Sequence, residues 1–171
     1  LDGSCLYPIM QDVWVSPIGN NDNSGLDQEN AFKTLAFAIW KIAQSEENPY
    51  TIHLTEGIYS QSNSGEEFPI ILKSHVNIVG YGDTLTILDA ESTDRVFTME
   101  DCDNNTISGL TITGGLAEGE GSDNTGGGLS IRNSNPLLTN MTIIGNTGGS
   151  GGGIYVAHSD ASISDVIITG N

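Results

Sequence analysis

Residues 127–146 read Gly-Gly-Leu-Ser-Ile-Arg-Asn-Ser-Asn-Pro-Leu-Leu-Thr-Asn-Met-Thr-Ile-Ile-Gly-Asn, and residues 152–171 read Gly-Gly-Ile-Tyr-Val-Ala-His-Ser-Asp-Ala-Ser-Ile-Ser-Asp-Val-Ile-Ile-Thr-Gly-Asn. The two stretches align at a constant offset of 25 residues, with six of 20 positions identical and seven more conservative. A period in the twenties carrying two or three short strands per unit marks a solenoid. One unit cannot bury its apolar face alone, and the next unit stacked on it completes the burial. Leu129, Ile131, Leu138, Met141 and Ile143 alternate along the first copy, and Ile154, Val156, Ile163, Val166 and Ile168 along the second. Alternation puts each set on one face of its strands, here the inward one.

Looser copies precede these two. One runs from Val96–Met99 to Thr106–Gly115, and a more degenerate one from Phe68–Leu72 to His75–Gly80. Strands are expected at 51–54, 70–72, 77–79, 86–88, 96–99, 106–107, 110–113, 128–131, 137–138, 141–144, 153–156, 162–163 and 166–169, mostly too short to stand alone. Asn133-Ser134 and His158-Ser159 fall at the same place in successive copies, a pattern that predicts a polar turn stacked along the axis. The stretches Leu116–Thr125 and Ser60–Glu67 read as long corner loops. Such insertions fall on one rim of a solenoid, where ligands are usually met.

Before the strands, Phe32, Leu35, Ala36, Ile39, Trp40 and Ala43 follow helical spacing and predict one amphipathic helix over 30–45, with Asn30 as its N-cap. A solenoid exposes its terminal coils as raw strand edges, so this helix is the expected lid on the first coil. The expected organisation is an N-terminal lead-in segment with a capping helix over 1–50 and coils over 51–171. The coils are truncated or continue beyond 171, and the uncapped last coil is a surface for self-association.

The 171 residues carry five Lys+Arg against 22 Asp+Glu, a formal net charge of -17. Such a balance excludes nucleic acid, whose phosphates require a basic face, and an anionic membrane surface. No apolar run is long enough to span a bilayer. Cys5 and Cys102 allow at most one disulfide and match no metal spacing; they read as one surface-proximal and one semi-buried thiol, and the sequence leaves their pairing open. Lipid attachment at Cys5 is disfavoured by the preceding Asp2-Gly3-Ser4. Acidity with few lysines suits a protein secreted into salty surroundings or held at the cell surface.

The opening Val13-Trp14-Val15-Ser16-Pro17, with Gly19-Asn20, Asp22, Ser24-Gly25 and Ala31-Phe32-Lys33-Thr34-Leu35 following, resembles the start of bacterial secreted right-handed parallel β-helix proteins of the pectate-lyase-like superfamily. His53–Tyr59 and Val76–Gly82 resemble the first two coils of that family, and the Gly-Gly-Gly-Ile-Tyr-Val units resemble its repeats. The resemblance covers nearly the whole chain. It implies an all-β fold: a right-handed parallel β-helix solenoid with an N-terminal capping α-helix. For function it is open, because the same fold hosts lyases, hydrolases, adhesins and surface proteins.

A polysaccharide lyase on this fold needs a Lys or Arg to take the proton beside a uronate carboxyl, and a cation to stabilise the resulting enediolate. With Lys33 and Lys41 assigned to the helix, Lys73, Arg95 and Arg132 remain as candidate bases. Asp89, Glu91, Asp94, Arg95, Asp101 and Asp103 form the richest acid–base run, which reads equally as a solvated corner with Asp94 and Arg95 in a surface ion pair. No convergent pair of carboxylates of the kind glycoside hydrolysis requires is legible. His53, His75 and His158 fall in different coils and suggest no triad. Asn20, Asp22, Ser24 and Asp27 partly resemble a calcium loop, although Ala31 occupies the position of the closing bidentate Glu; an Asx-turn orienting the helix accounts for the same residues. Thr84/Thr86 and Thr111/Thr113 do not continue as a ladder at Ile144 or Ile168. Asn104-Asn105-Thr106 and Asn140-Met141-Thr142 are sequons that turn-rich sequence also produces by chance.

The sequence therefore favours a non-catalytic secreted or cell-surface β-helix domain that binds polysaccharide or another surface glycan. The alternatives are a polysaccharide lyase with an incomplete site and a structural spacer. Ca²⁺ is the one cofactor suggested.

Overall fold

Short runs of β-branched and aliphatic residues, separated by Gly and Asn corners, become strands because each can pair with the equivalent run one coil away. The computed structural model, which describes residues 7–171, shows this arrangement. Strand β1 (Val13–Val15) and helix α1 (Leu35–Lys41) belong to the lead-in segment. The first coil holds β2 (Tyr50–Leu54), β3 (Gly57–Tyr59), the single-turn helix α2 (Gln61–Ser64) and β4 (Ile70–Ile71). The second holds β5 (Val76–Gly80), β6 (Thr86–Asp89) and β7 (Phe97–Glu100); the third, β8 (Thr106–Thr113), β9 (Leu116–Ala117) and β10 (Leu129–Arg132). The fourth holds β11 (Leu137–Ile144), β12 (Thr147–Gly148) and β13 (Ile154–Ala157), and β14 (Ser162–Thr169) begins a fifth.

Every pairing is parallel. One sheet runs β1-β2-β5-β8-β11-β14 and takes in β3 and β6; another runs β4-β7-β10-β13; β9 and β12 form a small third pair. The chain is a parallel β-helix. Leu129 pairs with Ile154 and Met141 with Val166, the offset read from the sequence.

The segments 106–107 and 110–113, expected as separate strands, are one strand, as are 137–138 with 141–144 and 162–163 with 166–169. Each continuous strand bends at a left-handed residue: Gly109 at φ 67, Asn140 at φ 51 and Asp165 at φ 53. The three stack, since Ser108 and Leu110 pair with Thr139 and Met141, which pair with Ser164 and Val166. Gly, Asn and Asp are the residues that enter this conformation at least cost. Strands β1, β3, β9 and β12 were not expected. Each has only two or three residues, too few to display a period.

The core is the row of inward side chains. Leu129, Ile131, Leu138 and Ile143 are fully buried, and Met141 nearly so. In the last coil Val156, Ile163 and Ile168 are exposed, because no further coil lies on them. The predicted polar turn is present: the Ser134 amide donates to Ser159 Oγ at 3.0 Å, and the Cys102 amide to Ser134 Oγ at 2.9 Å. The Cys102 thiol is free and buried; Cys5 lies outside the described residues. A second stacked turn is built from asparagine. Asn146 Oδ1 accepts the Gly115 amide at 2.9 Å, while Asn171 Oδ1 accepts the Asn146 amide at 3.0 Å.

Helix α1 covers the interior of the first coil with Leu35, Ala38 and Ile39, as a lid should. It is shorter than expected, and its N-cap is Thr34, whose Oγ accepts the Phe37 amide. Asn30 instead donates to the Asp27 carboxylate. Trp40, expected on the buried stripe, is 55% exposed. At 3.6 residues per turn Trp40 points about 140° away from Leu35, off the face that Leu35, Ala38 and Ile39 bury.

Candidate functional site

Outward side chains of β4, β7 and β10 line up across the coils by register: Thr98 beside Ser130, and Glu100 beside Arg132. The segment from Glu118 to Thr125 rises over this face, with a 3-10 turn at Gly121–Asn124. Together they enclose a groove of about 650 Å³, lined among others by Asp94, Arg95, Glu100, Asp123 and Arg132. Two of the three candidate bases, separated by 37 positions in the chain, thus meet in one place.

Both guanidinium groups have partners in the structure. Arg95 Nη1 donates to the Thr125 carbonyl at 2.7 Å, and Nη2 to the carbonyls of Asp123 at 2.6 Å and Ser122 at 3.3 Å. The guanidinium fork therefore holds the insert down through backbone oxygens. The expected Asp94–Arg95 ion pair does not form; Asp94 Oδ1 accepts the Arg95 backbone amide instead. Among the described residues the one acid–base side-chain pair within 4.0 Å is His53 with Asp12, at 3.5 Å. Arg132 donates to Thr125 Oγ1 at 3.1 Å and lies 4.8 Å from the centre of the Tyr155 ring. Stacking on an aromatic face suits a planar guanidinium.

Lys73 is elsewhere. Its Nζ donates to the Trp40 carbonyl at the end of α1, at 3.3 Å. Partial burial lowers its pKa from the ordinary lysine value. Three of the four candidate calcium donors are used by the turn they sit in. Asn20 Oδ1 accepts the Asp22 amide at 3.0 Å, Ser24 Oγ accepts the Leu26 amide at 3.4 Å, and Asp27 accepts the Asn30 amide at 2.8 Å. Those bonds hold the Asp27 carboxyl below the usual range. No cluster of three His, Cys, Asp or Glu suited to a metal occurs among the described residues.

Thr98, Glu100, Ser130 and Tyr155 were not singled out from sequence. They occupy the outward positions of strands recognised there by their inward residues, so the alternation that found the core also located them. Ser130 is nearly fully buried although it points outward, at the lining of the groove.

A parallel β-helix with a polar groove over one sheet and an insert forming one wall is the class of protein these features define. A family model described as a protein of unknown function (DUF1565) matches residues 17–87. A comparison with curated proteins finds no match. Among solved structures, a mutant pectin methylesterase in complex with hexasaccharide IV is similar in fold, with a TM-score of 0.64 and 15% sequence identity. The alignment covers 95% of this chain and 50% of that one, so the chain spans about half the length of that enzyme.

Proposed function

We propose that this protein is a non-catalytic β-helix module of the cell exterior that binds polysaccharide in the groove over β7 and β10. The observation that carries this reading is the pinned insert: three bonds from Arg95 fix a wall beside a floor of alternating hydroxyl, carboxylate and guanidinium groups. A fixed polar floor can hydrogen-bond the hydroxyls of a sugar chain with little ordering cost. The solved structure of similar fold is one of a polysaccharide-acting enzyme with a bound hexasaccharide, which supports the ligand class. The strongly acidic balance supports an extracellular setting.

The lyase alternative has less to rest on. Arg95 is engaged with three carbonyls, Arg132 with Thr125 and Tyr155, and Lys73 lies on another side of the rod. The groove also carries Asp94, Glu100, Glu118 and Asp123, which oppose a uronate chain.

Binding to a glycan array, followed by calorimetry on the best ligand, tests the reading. Arg132→Ala and Glu100→Gln are each expected to weaken binding several-fold. Loss of neither would remove the groove from the interaction. Release of unsaturated sugar from a uronate polymer, with or without Ca²⁺, would establish the lyase, and silence across the array would leave the spacer.

A further inference from the structure

We propose that a second depression, between the lead-in segment and the corner of the first coil, binds one pyranose unit of a neutral oligosaccharide. It has a volume of about 520 Å³. Its apolar side is made by Pro17, Ile18 and Ile58, and its polar side by Gln28, Glu29 and Glu56. Gly57 closes the floor. At φ 134 it brings the corner so near the lead-in segment that an added Cβ would stand 2.5 Å from Pro17 Cγ.

The chemistry of the lining selects the ligand. Ile18 is 94% exposed and Ile58 45%, so they present a bare aliphatic surface suited to the C–H face of a sugar ring. Gln28 is oriented by Tyr81, whose hydroxyl donates to Gln28 Oε1 at 3.1 Å, leaving the amide nitrogen to donate outward. Carboxylates of Glu29 and Glu56 accept hydroxyl protons and oppose an anionic sugar, and no Lys or Arg lines the depression. Beyond Gln28 an aromatic surface begins. Tyr81 stands edge-on to Trp14 at 6.3 Å, and Trp14 stacks on His53 at 4.7 Å. A second sugar unit leaving the depression would cross the half-exposed Tyr81 ring, which favours a chain over a single small molecule. Except for Ser16, the lining lies within residues 17–87, the part matched by the family model.

This site shares no residue with the groove over β7 and β10, so either can fail without the other. Cellohexaose is the probe, with hexagalacturonate and butylammonium as comparisons, read by calorimetry and by tryptophan fluorescence. Cellohexaose is expected to bind and hexagalacturonate not to. An Ile18→Ser/Ile58→Ser variant, altered only at exposed positions, is expected to lose roughly tenfold or more in affinity, as is Gln28→Ala. Circular dichroism confirms that these variants fold. Retention of cellohexaose binding in Arg132→Ala supports the inference. Loss in Arg132→Ala with retention in the Ile18/Ile58 variant overturns it and places the sugar in the groove. Binding of butylammonium without cellohexaose, or of neither, overturns it as well.

Discussion

The attachment of the lid to the rod depends on one buried carboxylate. Glu66 has no exposed surface, and its two oxygens accept the first helical amides of α1, from Leu35 at 2.6 Å and from Ala36 at 2.9 Å. With Thr34 Oγ taking the Phe37 amide, the first turn of the helix is satisfied by side chains. Burial pushes the Glu66 carboxyl up to about 7; hydrogen bonds from the amides of Ala36, Leu35 and Glu67 pull the other way, the Glu67 charge adds least, and desolvation outweighs the pull. A carboxyl whose folded pKa lies above its unfolded value binds extra protons in the folded state between the two. Its contribution is therefore complete below about 4.5 and is lost as pH rises through about 7. That gap corresponds to roughly 3 kcal/mol.

Relief of self-repulsion among the other carboxylates stabilises the fold on acidification in the same direction. The informative quantity is thus the difference between the wild type and Glu66→Gln, which keeps one acceptor and cannot titrate. Urea unfolding followed by far-ultraviolet circular dichroism across pH 4.5–8 measures it. The wild type should lose roughly 3 kcal/mol more than Glu66→Gln over that range. Glu66→Ala, which strands two buried amides, should cost about 2–6 kcal/mol. Equal pH slopes in the wild type and Glu66→Gln, or a wild type that gains stability relative to it as pH rises, would refute the reasoning.

Arg95→Ala frees the wall of the groove; limited proteolysis should then cut within 118–125 several-fold faster, while the unfolding midpoint changes little. Asn146→Ala removes the acceptor of the Gly115 amide and the donor to the Ile112 and Ile144 carbonyls, and should cost about 2–4 kcal/mol in denaturant unfolding. Because side-chain oxygens of Asn20, Ser24 and Asp27 already accept amide protons, millimolar Ca²⁺ should leave the thermal midpoint almost unchanged; a rise of more than about 4 °C, equivalent to roughly 1–2 kcal/mol, would restore a calcium site. A polypeptide ending at Asn171 exposes Val156, Ile163 and Ile168. Sedimentation velocity should show association with concentration, abolished by Ile163→Lys/Ile168→Lys.

The rod was legible because its information is local and repeated. Leu129, Ile131, Met141 and Ile143 declare their face by alternation, and the copy 25 residues on declares the stacking. Gly109, Asn140 and Asp165 marked corners, yet the strands run through them. A single left-handed residue turns a parallel strand without breaking its ladder, and composition does not separate that bend from a loop. Trp40 lies off the buried stripe because, at 3.6 residues per turn, it sits about 140° round the helix axis from Leu35, whereas Ala38 and Ile39 lie close to Leu35's direction.

The groove was less legible because its parts come from different coils. Arg95 meets the carbonyls of Ser122 and Asp123, 27 and 28 positions on, and Arg132 meets Thr125 from the opposite direction. Residue type alone singles out both arginines but does not show their partners, since a guanidinium bound to carbonyls has the sequence signature of one facing substrate. What could have been read is the register. Once 127–146 is laid on 152–171 and the inward set removed, Ser130 and Arg132 remain on the outward face, with Tyr155 one coil on. The insert at 116–125 precedes that strand and must cross above or below it. In a solenoid the outward remainder of the repeat, taken together with the position of the longest corner, therefore predicts where a groove forms, and side-chain chemistry is best applied after that step.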